Sequence, residues 1–227
     1  MGGTFRASGV AIDLDGTLLD TVADLTAAVN AMLADFGRPA LPEATVRSYV
    51  GKGARILVHR ALSGSLDGRV DDATAERGLK SFEHHYTREN GRSATIFPHV
   101  VEGLVAMRAK GLRLACVTNK PQAFADVLLA RTGLAGHFEF TIGGDVLPRG
   151  KPDPMQLHHV CEQFGMAPSQ MVAIGDSLND AQAARAAGMP VMIVPYGYNE
   201  GRPASSIDAD AIVDDLLDAA GRIEAAG

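Results

Sequence analysis

The sequence predicts an α/β protein: a doubly wound parallel-sheet core carrying an inserted α-helical domain. Three observations predict it. Short apolar runs recur at 9–12, 112–117, 138–142, 171–174 and 191–194, and continuous runs of this length suit strands covered on both faces. Helical patterns at 100–110, 122–132, 154–164 and 179–187 alternate with the later runs, which is the rhythm of βαβ units. Between the first run and the second, residues 20–92 hold no buried-strand pattern and read as helices.

Taken in order, the first strand at 9–12 feeds directly into the acidic stretch Asp13-Leu14-Asp15-Gly16-Thr17. The insertion predicts helices at 22–36, 43–50, 54–61 and 71–89. In the first of these, Val22, Leu25, Ala28, Val29, Met32 and Leu33 form one apolar stripe, whose default role is packing. In the core, Gly111, Gly133, Gly165 and Gly188 follow the helical patterns and mark their ends. A strand at 209–213 and a helix from 214 close the chain. The expected division is a core of 1–19 and 93–227 and a helical cap domain of 20–92.

Composition narrows the function. The 227 residues include 21 Lys plus Arg against 27 Asp plus Glu, a net charge of −6. That balance excludes nucleic-acid binding by bulk charge. The two cysteines, Cys116 and Cys161, cannot build a disulfide framework or a Cys-rich zinc site, and Cys116 reads as a small buried thiol. The pairs His84-His85 and His158-His159 are neighbours that do not share a helix face. There is no apolar run of the ~18 residues that a membrane span requires, nor a signal-type h-region. A cytoplasmic protein with no membrane partner is expected.

Four stretches carry chemistry. Asp13 and Asp15 follow a strand at the end where open parallel sheets bind ligands. Two nearby carboxylates repel unless a cation or a shared proton relieves them, and Mg²⁺ suits hard oxygen ligands. Thr118-Asn119-Lys120 ends the second core strand, where a hydroxyl, an amide and helix-leading N–H groups can cradle an anion. Lys151 precedes Pro152-Asp153-Pro154 and is held in an extended loop, where an ammonium can pair with phosphate or with a carboxylate. Asp176 and Asp180, in Gly175-Asp176-Ser177-Leu178-Asn179-Asp180, are four apart at a strand-to-helix junction and can face one ion. Each stretch alone also has a bland reading as a turn or a helix cap. All four fall at the carboxyl ends of predicted parallel strands, or in the loops that follow.

In that order and setting, the sequence resembles the haloacid dehalogenase-like (HAD) superfamily of phosphohydrolases. Its four motifs match Asp13-x-Asp15-Gly16-Thr17, Thr118-Asn119, Lys151 and Gly175-Asp176-Ser177-x-x-Asp180. The resemblance spans essentially the whole chain and implies a Rossmann-like core with a cap inserted after the first motif. It implies that Asp13 is the nucleophile, forming an aspartyl-phosphate, and that Asp15 is the general acid and then base. It implies Thr118, Asn119 and Lys151 as phosphoryl-binding groups. Mg²⁺ would sit on Asp13, the main-chain carbonyl of Asp15 and Asp176, with Asp180 supporting.

The cap stretch 48–62 looks like the cap loop of phosphoglycolate phosphatases, as does Pro195-Tyr196-Gly197-Tyr198-Asn199-Glu200-Gly201. Lys52 and Arg55 in the former are candidates for holding a substrate carboxylate. His99, in Phe97-Pro98-His99-Val100, stands where such relatives usually carry glycine. The expected partner is a small phosphorylated metabolite, 2-phosphoglycolate first. Alternatives are another small phosphate (a nucleotide, a phosphosugar or pyrophosphate), a phosphomutase, or a catalytically silent binding protein.

Overall fold

The computed structural model describes residues 3–226. Along the chain run β1 (Phe5–Ala7), β2 (Gly9–Ile12), β3 (Leu19–Asp20), α1 (Val22–Asp35), α2 (Glu43–Tyr49), α3 (Ala54–Ser63) and α4 (Asp72–Glu89). Then come β4 (Thr95–Ile96), α5 (Val100–Ala109), β5 (Arg113–Val117), α6 (Gln122–Arg131), β6 (Phe140–Ile142), α7 (Met155–Phe164) and β7 (Met171–Gly175). The chain ends with α8 (Leu178–Ala187), β8 (Val191–Ile193), β9 (Ala211–Ile212), α9 (Leu216–Gly221) and β10 (Ile223–Ala225).

Six strands form one parallel sheet in the order β6-β5-β2-β7-β8-β9. Side chains alternate across it, as a pleated strand requires. Val10, Ile12, Leu114, Cys116, Val172 and Ile174 face the layer of α5, α6 and α9. Ala11, Ala115, Val117, Met171 and Ala173 face α7 and α8. On that second face Ala11 is in register with both Ala115 and Ala173. This row of small side chains meets Ala181, Ala183, Ala184 and Ala187 of α8, so helix and sheet approach closely with few atoms to fill the gap.

The cap helices α1–α4 enclose a separate apolar cluster. The stripe expected on α1 is buried there, from Val22 to Leu33. Helix α4 starts where Asp71 accepts a hydrogen bond from Thr74 N–H at 2.9 Å, a side-chain cap that satisfies one of the free amides of the first turn. Its buried residues Ala75, Gly78, Phe82 and Tyr86 recur at helical spacing, which places Phe82 and Tyr86 over one another.

Some details depart from expectation. The short antiparallel ribbon β3–β4 and the parallel pair β1–β10 are absent from the pattern reading, because two or three residues carry too little periodicity to register. The last helix begins at Leu216 rather than 214 because Asp215 caps it, accepting from Asp218 N–H. His99 takes φ 59° at the start of α5. That left-handed conformation costs a side-chain-bearing residue about 1–2 kcal/mol, which explains why glycine suits the position. The His99 ring compensates through Nδ1, 2.6 Å from Asp215 Oδ2, a bond that lifts the imidazole's pKa.

Candidate active site

Central strand β2 has β5 on one side and β7 on the other. Its carboxyl end therefore opens at the crevice where the crossovers diverge, which is the binding position of open α/β sheets. The chain leaves β2 at Asp13, whose N–H is still held by Ile174 O at 2.9 Å. Lys151 Nζ reaches in from the loop before α7. It donates to Asp13 Oδ1 at 2.7 Å, Asp180 Oδ1 at 2.6 Å and Val117 O at 2.8 Å. All three of its protons are thus committed. Asp180 is fixed on its other oxygen by Ser177 N–H at 3.1 Å and Ser177 Oγ at 2.6 Å.

Asp176 faces this group from the end of β7. Its Oδ1 accepts from Thr17 Oγ1 at 3.2 Å and its Oδ2 from the N–H of Tyr198. Glycine is required at two neighbours: a Cβ on Gly16, which has φ 89°, or on Gly197 would overlap the Asp176 carboxylate. One oxygen each from Asp13, Asp176 and Asp180 lies within 4.8 Å of the others. Burial lifts Asp13 to about 7, with Lys151 opposing and Asp180 reinforcing. Burial also raises Asp176 well above the carboxylate range, and repulsion from Asp180 and Asp13 adds to it. Lys151 stays charged despite burial because Asp13 and Asp180 hold its proton. Such a set of hard, crowded oxygens whose ionised forms are penalised fits a divalent cation such as Mg²⁺.

Asp15 points elsewhere. Its carboxylate takes 3.0 Å bonds at both oxygens from Lys120 Nζ and a 2.6 Å bond from Thr21 Oγ1. Asp13, Asp15, Thr118, Asn119, Lys120 and Lys151 line one cavity of about 50 Å³ beneath the cap. The cap side contributes Leu25, Val50, Leu57, Phe82 and Tyr86.

Lys52, Arg55 and Asn119 each have partners within the protein. Lys52 and Arg55 line an adjoining cavity, which shares Asn119 and Lys151 with this one. Lys52 Nζ lies 3.0 Å from Glu200 and Arg55 Nη2 lies 2.8 Å from Glu76, both partly in solvent. The turn into α3 sends these two side chains outward, while Gly51, Gly53 and Ala54 face the cavity. Asn119 lies at the cavity, but its amide donates both protons to main-chain carbonyls, Gly51 O at 3.1 Å and Lys151 O at 2.8 Å. These bonds tie cap to core. Thr17, Lys120, Tyr86 and Tyr198 are site residues that the motif reading did not single out. Thr17 and Lys120 sit inside the quoted motifs, so position gave a signal for them. Tyr86 had only its place within the helix expected at 71–89.

A haloacid dehalogenase-like hydrolase family model matches residues 7–188, and the chain belongs to that family. Its fold and donor set are those of an HAD-type phosphatase. Among relatives, the chain is 51% identical over 210 residues to a phosphoglycolate phosphatase of Nitrosospira multiformis, covering 92% of each. It is 49% identical over 211 residues to one of Thiobacillus denitrificans, covering 93% of each. A crystal structure of a predicted phosphoglycolate phosphatase from Haemophilus somnus superposes with a TM-score of 0.88 at 33% identity, covering 96% of this chain and 98% of that one.

Proposed function

We propose that this protein is a Mg²⁺-dependent phosphomonoesterase acting on a short phosphorylated acid, 2-phosphoglycolate. The observation that carries the reading is the Lys151 ammonium bridging Asp13 and Asp180 beside Asp176, at the mouth of a cavity closed by the cap. Asp13 Oδ attacks phosphorus and takes the phosphoryl group while the ester oxygen leaves. Asp15, two residues on, gives that oxygen its proton, then takes one from the water that attacks the aspartyl-phosphate. Lys151 orients Asp13 and offsets the repulsion between the carboxylate and the incoming phosphate. Thr118 Oγ1, which accepts from Lys120 N–H at 3.1 Å, keeps its own proton for a phosphoryl oxygen. Mg²⁺ on Asp13, the Asp15 carbonyl and Asp176, with Asp180 in support, would supply positive charge to the phosphoryl oxygens.

Cavity size supports a small substrate. The cavity beneath the cap, about 50 Å³, holds a few water-sized centres, which favours a small ester. The names of the relatives above support 2-phosphoglycolate among small esters. Phosphate release from a panel of 2-phosphoglycolate, ribose 5-phosphate, AMP and pyrophosphate, with Mg²⁺ and with EDTA, tests the reading. The expected result is Mg²⁺-dependent turnover with kcat/KM highest for 2-phosphoglycolate. Equal turnover of AMP, or turnover undiminished by EDTA, would contradict it.

A further inference from the structure

The cavity contains a second buried cation besides Lys151, and it is paired with Asp15. Lys151 spends its three protons at the acid cluster. Lys120 is 6% exposed and directs Nζ at both oxygens of Asp15. Its Nζ lies 4.9 Å from the centroid of the Tyr86 ring. Tyr86 is 1% exposed, and its hydroxyl has no hydrogen-bond partner among the described residues. Its ring is held by stacking on Phe82 at 5.3 Å and by edge contact with Phe124 at 5.0 Å. A buried hydroxyl left unpaired costs free energy, so its persistence beside a cavity asks for a ligand.

The geometry points to Lys120 and Tyr86 as the recognition pair for a carboxylate on the substrate, in place of Lys52 and Arg55, which are ion-paired with Glu200 and Glu76. A buried ammonium beside a hydroxyl that has a proton to donate matches an anion with two oxygens. Around them the cavity wall is apolar, with Leu25, Leu57, Phe82 and Phe124, so a neutral tail finds no polar partner there while a carboxylate finds two. The cap contributes Tyr86 through α4 and the core contributes Lys120 through the loop after β5. The pair is therefore complete only when the cap is closed, and substrate reading is coupled to closure. This rests on the phosphatase reading above.

The test compares 2-phosphoglycolate with ethyl phosphate, which has the same two carbons and lacks the carboxylate, under saturating Mg²⁺. In Lys120→Met, kcat/KM is expected to fall for both esters, because Asp15 loses its ion pair, and to fall about tenfold or more further for 2-phosphoglycolate than for ethyl phosphate. Tyr86→Phe keeps the ring and removes only the hydroxyl. It is expected to lower the preference for 2-phosphoglycolate about tenfold and to melt no lower than wild type, since an unpaired group is removed. A purely structural tyrosine would move stability and leave the preference alone. If Lys120→Met lowers both esters equally, or Tyr86→Phe keeps the wild-type preference, the proposal is overturned. Should Lys120→Met fail to fold, the Tyr86→Phe preference decides alone. Loss of the preference in Lys52→Ala/Arg55→Ala instead would also overturn it. Wild-type protein that releases phosphate from neither ester would sink the phosphatase reading itself, which is a different result.

Discussion

Asp13 shows how one residue's surroundings set both chemistry and stability. Burial lifts its pKa to about 7, against about 4 for an aspartate in an unfolded chain. The folded protein therefore binds that proton more tightly than the unfolded chain between those values. Stability without metal falls as pH rises from about 4 to about 7 and levels off above. Asp176, raised by the same burial, pulls in the same direction. A cation that takes the place of the proton reverses the penalty, and most strongly where the carboxylates must otherwise be ionised. At a Mg²⁺ concentration 100-fold above Kd, the melting temperature at pH 8 is expected to rise by about 5–10 °C, and by clearly less at pH 5. Differential scanning calorimetry at both pH values checks this; equal gains would contradict it. Asp13, Asp15 and Asp176 were legible in the sequence because they follow predicted strands, and Asp180 because it lies four residues after Asp176 at a strand-to-helix junction. Tyr86 was not, because its approach to Lys120 depends on how α4 crosses the core, which no local pattern records.

Between elements, the cap is fastened to the core through the loop after β8. Tyr198 packs in the cap's apolar cluster. Its hydroxyl accepts from Thr21 N–H at 2.8 Å and donates to Asp20 at 2.6 Å, at the crossing into α1. Its N–H holds Asp176. Two residues on, Glu200 receives Arg60 at 2.5 Å and Lys52 at 3.0 Å, both from the cap. Arg60 is itself buried, so its charge needs this partner. Glu200→Gln is expected to cost about 2 kcal/mol. Amide exchange should quicken in α3 and stay unchanged in β2, β5 and β7. Uniform protection across α3 in that variant would show that the contact does not restrain the cap. The long strands and helices of the core were legible because each carries several periods of pattern. The β3–β4 crossing was not, being two residues a side with Ile96 exposed.

Over the whole molecule, residues separated by up to 167 positions, Asp13 to Asp180, are brought to one point by strand order. The parallel sheet aligns the carboxyl ends of β2, β5 and β7. The inserted helices close over them and exclude water from the charged groups, which strengthens every electrostatic contact beneath. The order and type of these elements were readable from the sequence, and with them the acid cluster. The outward turn of Lys52 and Arg55 was not readable, because a helix start specifies its backbone and leaves the direction of long basic side chains to their ion-pair partners. The central claim is that Asp13 itself receives the phosphoryl group. It is tested most directly by acid-quenching the enzyme during the first turnover and mapping peptides by mass spectrometry. The account predicts a phosphoryl group on the peptide containing Asp13, and neither that adduct nor phosphate release in Asp13→Asn. Normal phosphate release by Asp13→Asn, with no adduct on the wild-type peptide, would contradict it.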